Sequence, residues 1–316
     1  MANIQIAHVG EDKWRAYPLW RKQDGKNKKR KQKDGTDIEG KPAKDGTIRQ
    51  EMMTLRAIMN FAADKQYIRE RQVPKGRLPS DKARREEFTP TEYRQLHTFA
   101  RKWIKEAETK TSAWHRQMAY NFILVMTNTG MRTMEAANLR WRDIDAREDK
   151  QSRAFTCLNV RGKGKFRELV APESVTSYLN RIKAITKAKK PDDFVFSTST
   201  GKQNSSLYGS LVQDLLTKSG LLHSSSGSRR SSYCFRHTYA TFRLMEGVDV
   251  YFLAKQMGTS VKMIEDYYGH ITPAKNAERI LQGIPGWDPI ADGSGETTHS
   301  VNAGLAKSPA KPRRKK

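Results

Sequence analysis

Two strand-like runs, Ala154 to Val160 and Phe166 to Val170, are separated only by Arg161-Gly-Lys-Gly-Lys165. Alternating apolar residues around a short glycine-bearing turn specify a β-hairpin, and the two glycines let its basic tip approach another backbone closely. The other long periodicities in the chain are helical. The hairpin therefore restricts the fold to mainly α with a small antiparallel β-sheet (α+β), to which a short strand at Phe194-Val-Phe196 is added.

Helix punctuation divides the rest. Phe88-Thr89-Pro90-Thr91-Glu92-Tyr93 supplies an N-cap threonine, a proline at the first helical position, a glutamate that completes a capping box, and a hydrophobic staple between Phe88 and Tyr93. Helices are predicted over 91–107, 113–127, 172–187, 206–218, 235–246, 250–257, 261–267 and 273–282. An earlier helix is predicted to open at Thr47, because Thr47-Ile-Arg-Gln50 has capping-box spacing and Met52, Leu55, Met59 and Ala62 follow at intervals of three and four. Four regions result: a basic, poorly ordered segment over 1–46, with at most a short ordered piece around Trp14 to Trp20; a partial helical region and linker over 47–84; a principal domain over 85–289; and a basic disordered tail over 290–316. The Ser224–Ser232 run is read as a mobile loop.

Charge narrows the function. With 59 Lys and Arg against 34 Asp and Glu the formal charge is +25, of which +11 lies in residues 1–85 and +14 in the remainder. A surplus spread along the whole chain implies a polyanionic partner, most simply nucleic acid. Lys28, Lys29, Arg30 and Lys31 form an uninterrupted basic run and are candidate phosphate contacts, as is Lys165 at the hairpin tip. Two cysteines exclude a disulfide scaffold and are too few for a structural zinc site. The longest apolar run, Asn121 to Met126, is too short to span a bilayer, and no signal peptide is evident, so a cytoplasmic, nucleoid-associated protein is expected.

Three islands carry the chemistry. In Thr129-Gly-Met-Arg132-Thr-Met-Glu135 a buried helix ends at a glycine and an arginine starts the next, with Glu135 three residues on and able to hold it. Gly162-Lys163-Gly164 is the second. The third runs from Tyr233-Cys-Phe-Arg236-His237-Thr to Tyr268-Gly-His270. In this order and spacing the islands resemble the tyrosine recombinase family, the integrases of phages and other mobile elements, over roughly 85–275. By residue type alone either Lys163 or Lys165, and either Tyr267 or Tyr268, would serve; the motif match favours Lys163 and Tyr268, with Tyr267 expected in the core.

The resemblance implies a site-specific recombinase that cleaves and rejoins double-stranded DNA through a 3′-phosphotyrosyl ester, without metal, ATP or other cofactor. Carried over by motif, Tyr268 is the nucleophile, Arg132 and Arg236 clamp the phosphate, and Lys163 is the general acid. Glu135, His237 and His270 are supporting residues. Two positions depart from the family pattern: Tyr233 stands where His or Lys is usual, and Thr259, nine residues before Tyr268, where His or Trp is usual. Both offer a hydroxyl but no imidazole. The resemblance also implies a homotetramer on two DNA sites, accessory DNA-bending proteins, and integration or excision of a mobile element, with 47–84 as the remnant of a core-binding domain. The alternatives are a type IB topoisomerase-like relaxer and, from a different class, a DNA-binding regulator impaired at Tyr233 and Thr259.

Overall fold

A computed structural model describes residues 5–25, 30–31, 37–38, 40, 42–80, 86–162 and 165–268. The chain divides into two compact units, Met1–Arg84 and Arg85–Lys316.

The first unit contains helix α1 (Glu11–Gln23), a short antiparallel pair β1 (Arg30–Lys31) and β2 (Asp37–Ile38), and helix α2 (Asp45–Asp64). Its core joins Trp14 to Ala43, Ile48 and Met52, and a second cluster joins Met59 and Ala62 to Ile68 and Val73. The thirteen-residue α1 spans the short ordered piece expected around Trp14 to Trp20 and extends it at both ends. Its stability is tertiary: Trp14 is buried, its Nε1 donates to the Gly76 carbonyl (3.2 Å), and the Arg56 guanidinium lies 4.6 Å from its ring centre. Tyr17 and Arg21 both donate to Glu51, at 2.9 and 3.1 Å. Acids in the first turn and bases in the last also complement the helix dipole, a local signal that the low apolar periodicity hid. Helix α2 begins two residues before Thr47, whose amide donates to the Lys44 carbonyl; Thr47 lies in the first turn and caps nothing.

The second unit opens at the expected box. The Thr89 hydroxyl accepts from the Glu92 amide (3.2 Å), Glu92 accepts from the Thr89 amide (2.9 Å), and α3 runs from Pro90 to Lys105. Phe88 stacks on Phe235 and Tyr93 meets Phe242 edge-on, so each ring has a partner on a distant helix. Helix α4 (Lys110–Thr129) is the centre of the core, buried continuously from Met118 to Thr127, and stops at Gly130, where φ is +63°. That left-handed turn and the Tyr239 ring against it exclude a side chain: a Cβ would lie 2.3 Å from the ring.

After α5 (Thr133–Asn138) come β3 (Ile144–Glu148), β4 (Ala154–Gly162) and β5 (Lys165–Pro172), antiparallel in the order β3-β4-β5. The β4–β5 register pairs Gly162 with Lys165 and Val160 with Arg167. The hairpin is as expected. Strand β3 was not, because after Ile144 every residue is exposed and no alternation exists to read. Phe194 makes an isolated bridge to Arg140 instead of a strand.

Helix α6 (Glu173–Ile185) covers the sheet, and α7 (Gly209–Lys218) begins after Leu207 and Tyr208, whose positive φ values keep them outside the helix. In the Ser224–Ser232 run His223 bridges Arg229, and Ser224 and Arg230 are buried while Ser225, Ser226, Gly227 and Arg229 are exposed. Helices α8 (Cys234–Met245), α9 (Val250–Met257) and α10 (Val261–Tyr268) follow. The helix expected at 273–282 and the tail lie outside the described residues. No helix among the described residues is long and apolar enough to cross a membrane.

Candidate active site

The end of α4, the start of α8 and the end of α9 converge. Arg132 is the N-cap of α5; its amide donates to Glu135 Oε2 (2.7 Å) and its Nη1 to Oε1 (2.9 Å), the i, i+3 pairing expected from spacing. Arg236, in the first turn of α8, is 3% exposed; its Nη1 donates to the Gly130 carbonyl and its Nη2 to that of Met257 (2.7 Å). A third guanidinium, Arg167 on β5, donates to Glu135 from Nε (3.2 Å) and Nη2 (2.5 Å), and from Nη1 to the Gln256 carbonyl.

The arrangement has a simple backbone origin. The last carbonyls of a helix have no intrahelical donor and form its negative end. At the close of α9, three successive carbonyls each take one guanidinium: Gln256 takes Arg167, Met257 takes Arg236, and Gly258 takes Arg132. Gly258 has φ +60°, which turns its carbonyl out of the helix, and a Cβ there would lie 2.7 Å from Arg167 Cδ.

Three guanidiniums face one carboxylate, a net charge of +2 among these described groups. Burial pushes the Glu135 carboxyl upward, but the Arg167 hydrogen bonds, the Arg132 amide and the charges of both arginines outweigh it, so it is held below its ordinary value. Burial, with the neighbouring Arg132 and Arg167 charges, lowers Arg236 to about 10, still protonated at neutral pH. Such a site is built for an anion.

Tyr233 lies one turn before Arg236, which donates its amide to the Tyr233 carbonyl (3.1 Å). Buried His237 packs between aromatic rings, 5.2 Å from Tyr233 and 6.0 Å from Tyr267 between centres. Tyr267 is 37% exposed, so it is not the core residue expected. Thr259 directly follows Gly258, and its amide donates to the Ala254 carbonyl (2.9 Å). Tyr268 is the last residue of α10 and Lys165 the first of β5, both placed by their backbone. Arg30 and Lys31 are likewise placed by backbone, in β1 of the other unit. Lys28, Lys29, Lys163 and His270 lie outside the described residues.

The residue that sequence reasoning missed is Arg167. Strand parity held the signal: Leu169 and Ala171 are buried, and Arg167 shares their face opposite buried Val160. A charged residue on the inward face of a strand requires a partner.

Comparison with known proteins agrees with these motifs. The model of the phage integrase family matches residues 86–275. Tyrosine recombinase XerC of Chlorobaculum parvum is 27% identical over 191 residues, 58% of this chain and 53% of that protein. XerC of Anoxybacillus flavithermus is 24% identical over 246 residues, 75% of each. This chain thus spans about half of the first relative and three quarters of the second. Among solved structures, a lambda integrase dimer bound to a core site superposes with a TM-score of 0.61 at 16% identity, over 84% of this chain and 82% of that one. The Tn1549 transposon integrase in complex with a circular intermediate DNA gives 0.62 at 18%, over 88% and 86%. With a family model covering more than half of its length, and the fold shared by these structures, the chain belongs to the phage integrase family.

Proposed function

We propose that this protein is a site-specific DNA recombinase that cleaves and rejoins strands through a 3′-phosphotyrosyl intermediate. The observation that carries the reading is the cluster of Arg132, Arg167 and Arg236 around the single carboxylate of Glu135. Its surplus positive charge suits a phosphodiester.

In the proposed reaction the Tyr268 hydroxyl attacks phosphorus. Negative charge growing on the non-bridging oxygens is met by Arg132 and Arg236, whose planar forks hold fixed geometry. The 5′ oxygen leaves with a proton from Lys163, and the tyrosyl ester keeps the bond energy. Attack by a 5′ hydroxyl from another strand reverses the step and rejoins the DNA. Tyr233 and Thr259 offer hydroxyls to the phosphate but no imidazole, so the proton that Tyr268 loses on attack passes to water while Lys163 protonates the leaving oxygen.

Family membership and the +25 charge support double-stranded DNA as partner. The further reading is a homotetramer on two sites, assisted by DNA-bending proteins in the nucleoid, integrating or excising a mobile element. The first unit serves as a shortened core-binding region. Its basic run from Lys28 to Lys31 adds phosphate contacts without sequence information.

The test is covalent trapping. Wild type and Tyr268→Phe are incubated with nicked DNA carrying the element's junction, and an SDS-resistant adduct is sought on a gel. An adduct from wild type alone is expected. None from either protein, on DNA shown to be bound, overturns the reading in favour of a regulator.

A further inference from the structure

Glu135 is an obstacle for a phosphate clamp. A buried carboxylate bonded to Arg132 opposes the attraction of that cation for an outside anion, most strongly where water is excluded. The Glu135 side chain is 3% exposed and accepts four hydrogen bonds. Arg132 supplies one through a guanidinium nitrogen and one through its amide. Arg167 supplies the other two, one to each oxygen, in a two-pronged pairing.

We infer that Arg167 is a positioning residue of the clamp: it neutralises Glu135, leaving the charge of Arg132 for the scissile phosphate. This rests on the phosphoryl-transfer reading above. The exposures agree with the division of labour, since the Arg167 side chain is 16% exposed and that of Arg132 is 33%. The same residue shapes the second support of Arg132. Arg167 binds the Gln256 carbonyl and packs where a Gly258 side chain would stand, so it borders the turn whose carbonyl takes Arg132 Nη2.

Charge counting gives the consequence. With Arg167 the described cluster carries +2, matched to a phosphodiester that approaches a dianion as the tyrosine adds. Without Arg167 it carries +1, and Glu135 is left with Arg132 alone.

The test uses the full chain and single-turnover adduct formation on nicked junction DNA. Arg167→Gln keeps a polar side chain and removes the charge, and should slow adduct formation about 10²-fold, the scale of losing one stabilising donor. Arg167→Lys keeps the charge without the fork and should stay within about tenfold of wild type. The double variant Glu135→Gln/Arg167→Gln, which removes both charges and returns the cluster to +2, should regain about tenfold or more over Arg167→Gln. A purely structural Arg167 gives a different pattern, with Lys as slow as Gln and the double variant slower than either single one; that pattern overturns the inference. If Arg167→Gln does not fold, the lysine and double variants, which leave no buried carboxylate short of a cation, decide the matter against wild type. A wild type that binds DNA and forms no adduct overturns the recombinase reading itself. Wild-type adduct with an unslowed Arg167→Gln overturns only the role of Arg167.

Discussion

Arg230 and Arg236 stand six residues apart, are both buried and both donate to backbone carbonyls, yet among the described hydrogen bonds only those of Arg230 also reach a carboxylate. In the turn before α8, Arg230 Nη2 donates to both oxygens of Glu92 (2.9 and 2.8 Å), and its guanidinium lies 4.5 Å from the Phe88 ring centre. At the start of α8, the hydrogen bonds described for Arg236 go to the Gly130 and Met257 carbonyls. A guanidinium on a carboxylate forms a nearly neutral strut. One on carbonyls is held just as firmly and keeps its charge for a ligand. Burial alone does not tell these two arginines apart; the formal charge of their partners does.

The largest expected effect tests the Arg236 half of this contrast. Arg236→Lys retains a cation and loses the fork, and single-turnover adduct formation should fall about 10²–10³-fold while DNA binding persists. A lysine variant cleaving at the wild-type rate would erase the distinction. Arg230→Met should act the other way, losing about 2 kcal/mol and lowering Tm by about 4–8 °C while the folded protein cleaves normally. The cost falls below that of a fully buried pair because Glu92 is 24% exposed. A cleavage defect at unchanged Tm would move Arg230 into the active site.

Thr89→Ala should cost about 1 kcal/mol in thermal unfolding. Its effect should be less than additive with Arg230→Met, since Glu92 serves both the cap and the arginine; strict additivity would show that the two do not share that carboxylate.

The smallest effect is the acid limb. For Glu92, as for Glu135, burial pushes the carboxyl up and its hydrogen bonds and arginine outweigh burial, so both are depressed in the folded protein. Their contribution is complete above the unfolded carboxyl value of about 4.3 and is lost as pH falls through the lower folded values. Tm of wild type should therefore drop more steeply below about pH 4.3 than that of Glu135→Gln, with the two profiles parallel from pH 6 to 8. Parallel profiles throughout would mean that Glu135 is not depressed.

Local chemistry was legible wherever partners are near in the chain. The Thr89 box, the Arg132–Glu135 pair and the turn between β4 and β5 each involve residues three or fewer apart. Helix α1 was legible only as a short ordered piece around Trp14 to Trp20, because it is held by Glu51 and Gly76, dozens of residues away. Strand β3 escaped because it pairs along an exposed face. Tyr267 was misplaced because an apolar ring near the end of a short helix says nothing by itself about what covers it.

The order and spacing of Arg132, Lys163, Arg236 and Tyr268 sufficed to identify the family, because a motif needs only residue types at fixed intervals along the chain. Charge sufficed to suggest the polyanion. The electrostatic balance of the site was a tertiary outcome. Arg167 reaches Glu135 from 32 residues away, and Arg132 and Arg236 meet successive carbonyls 126 and 21 residues further along the chain. Only folding brings those groups together, and the net charge they leave decides what the site can bind.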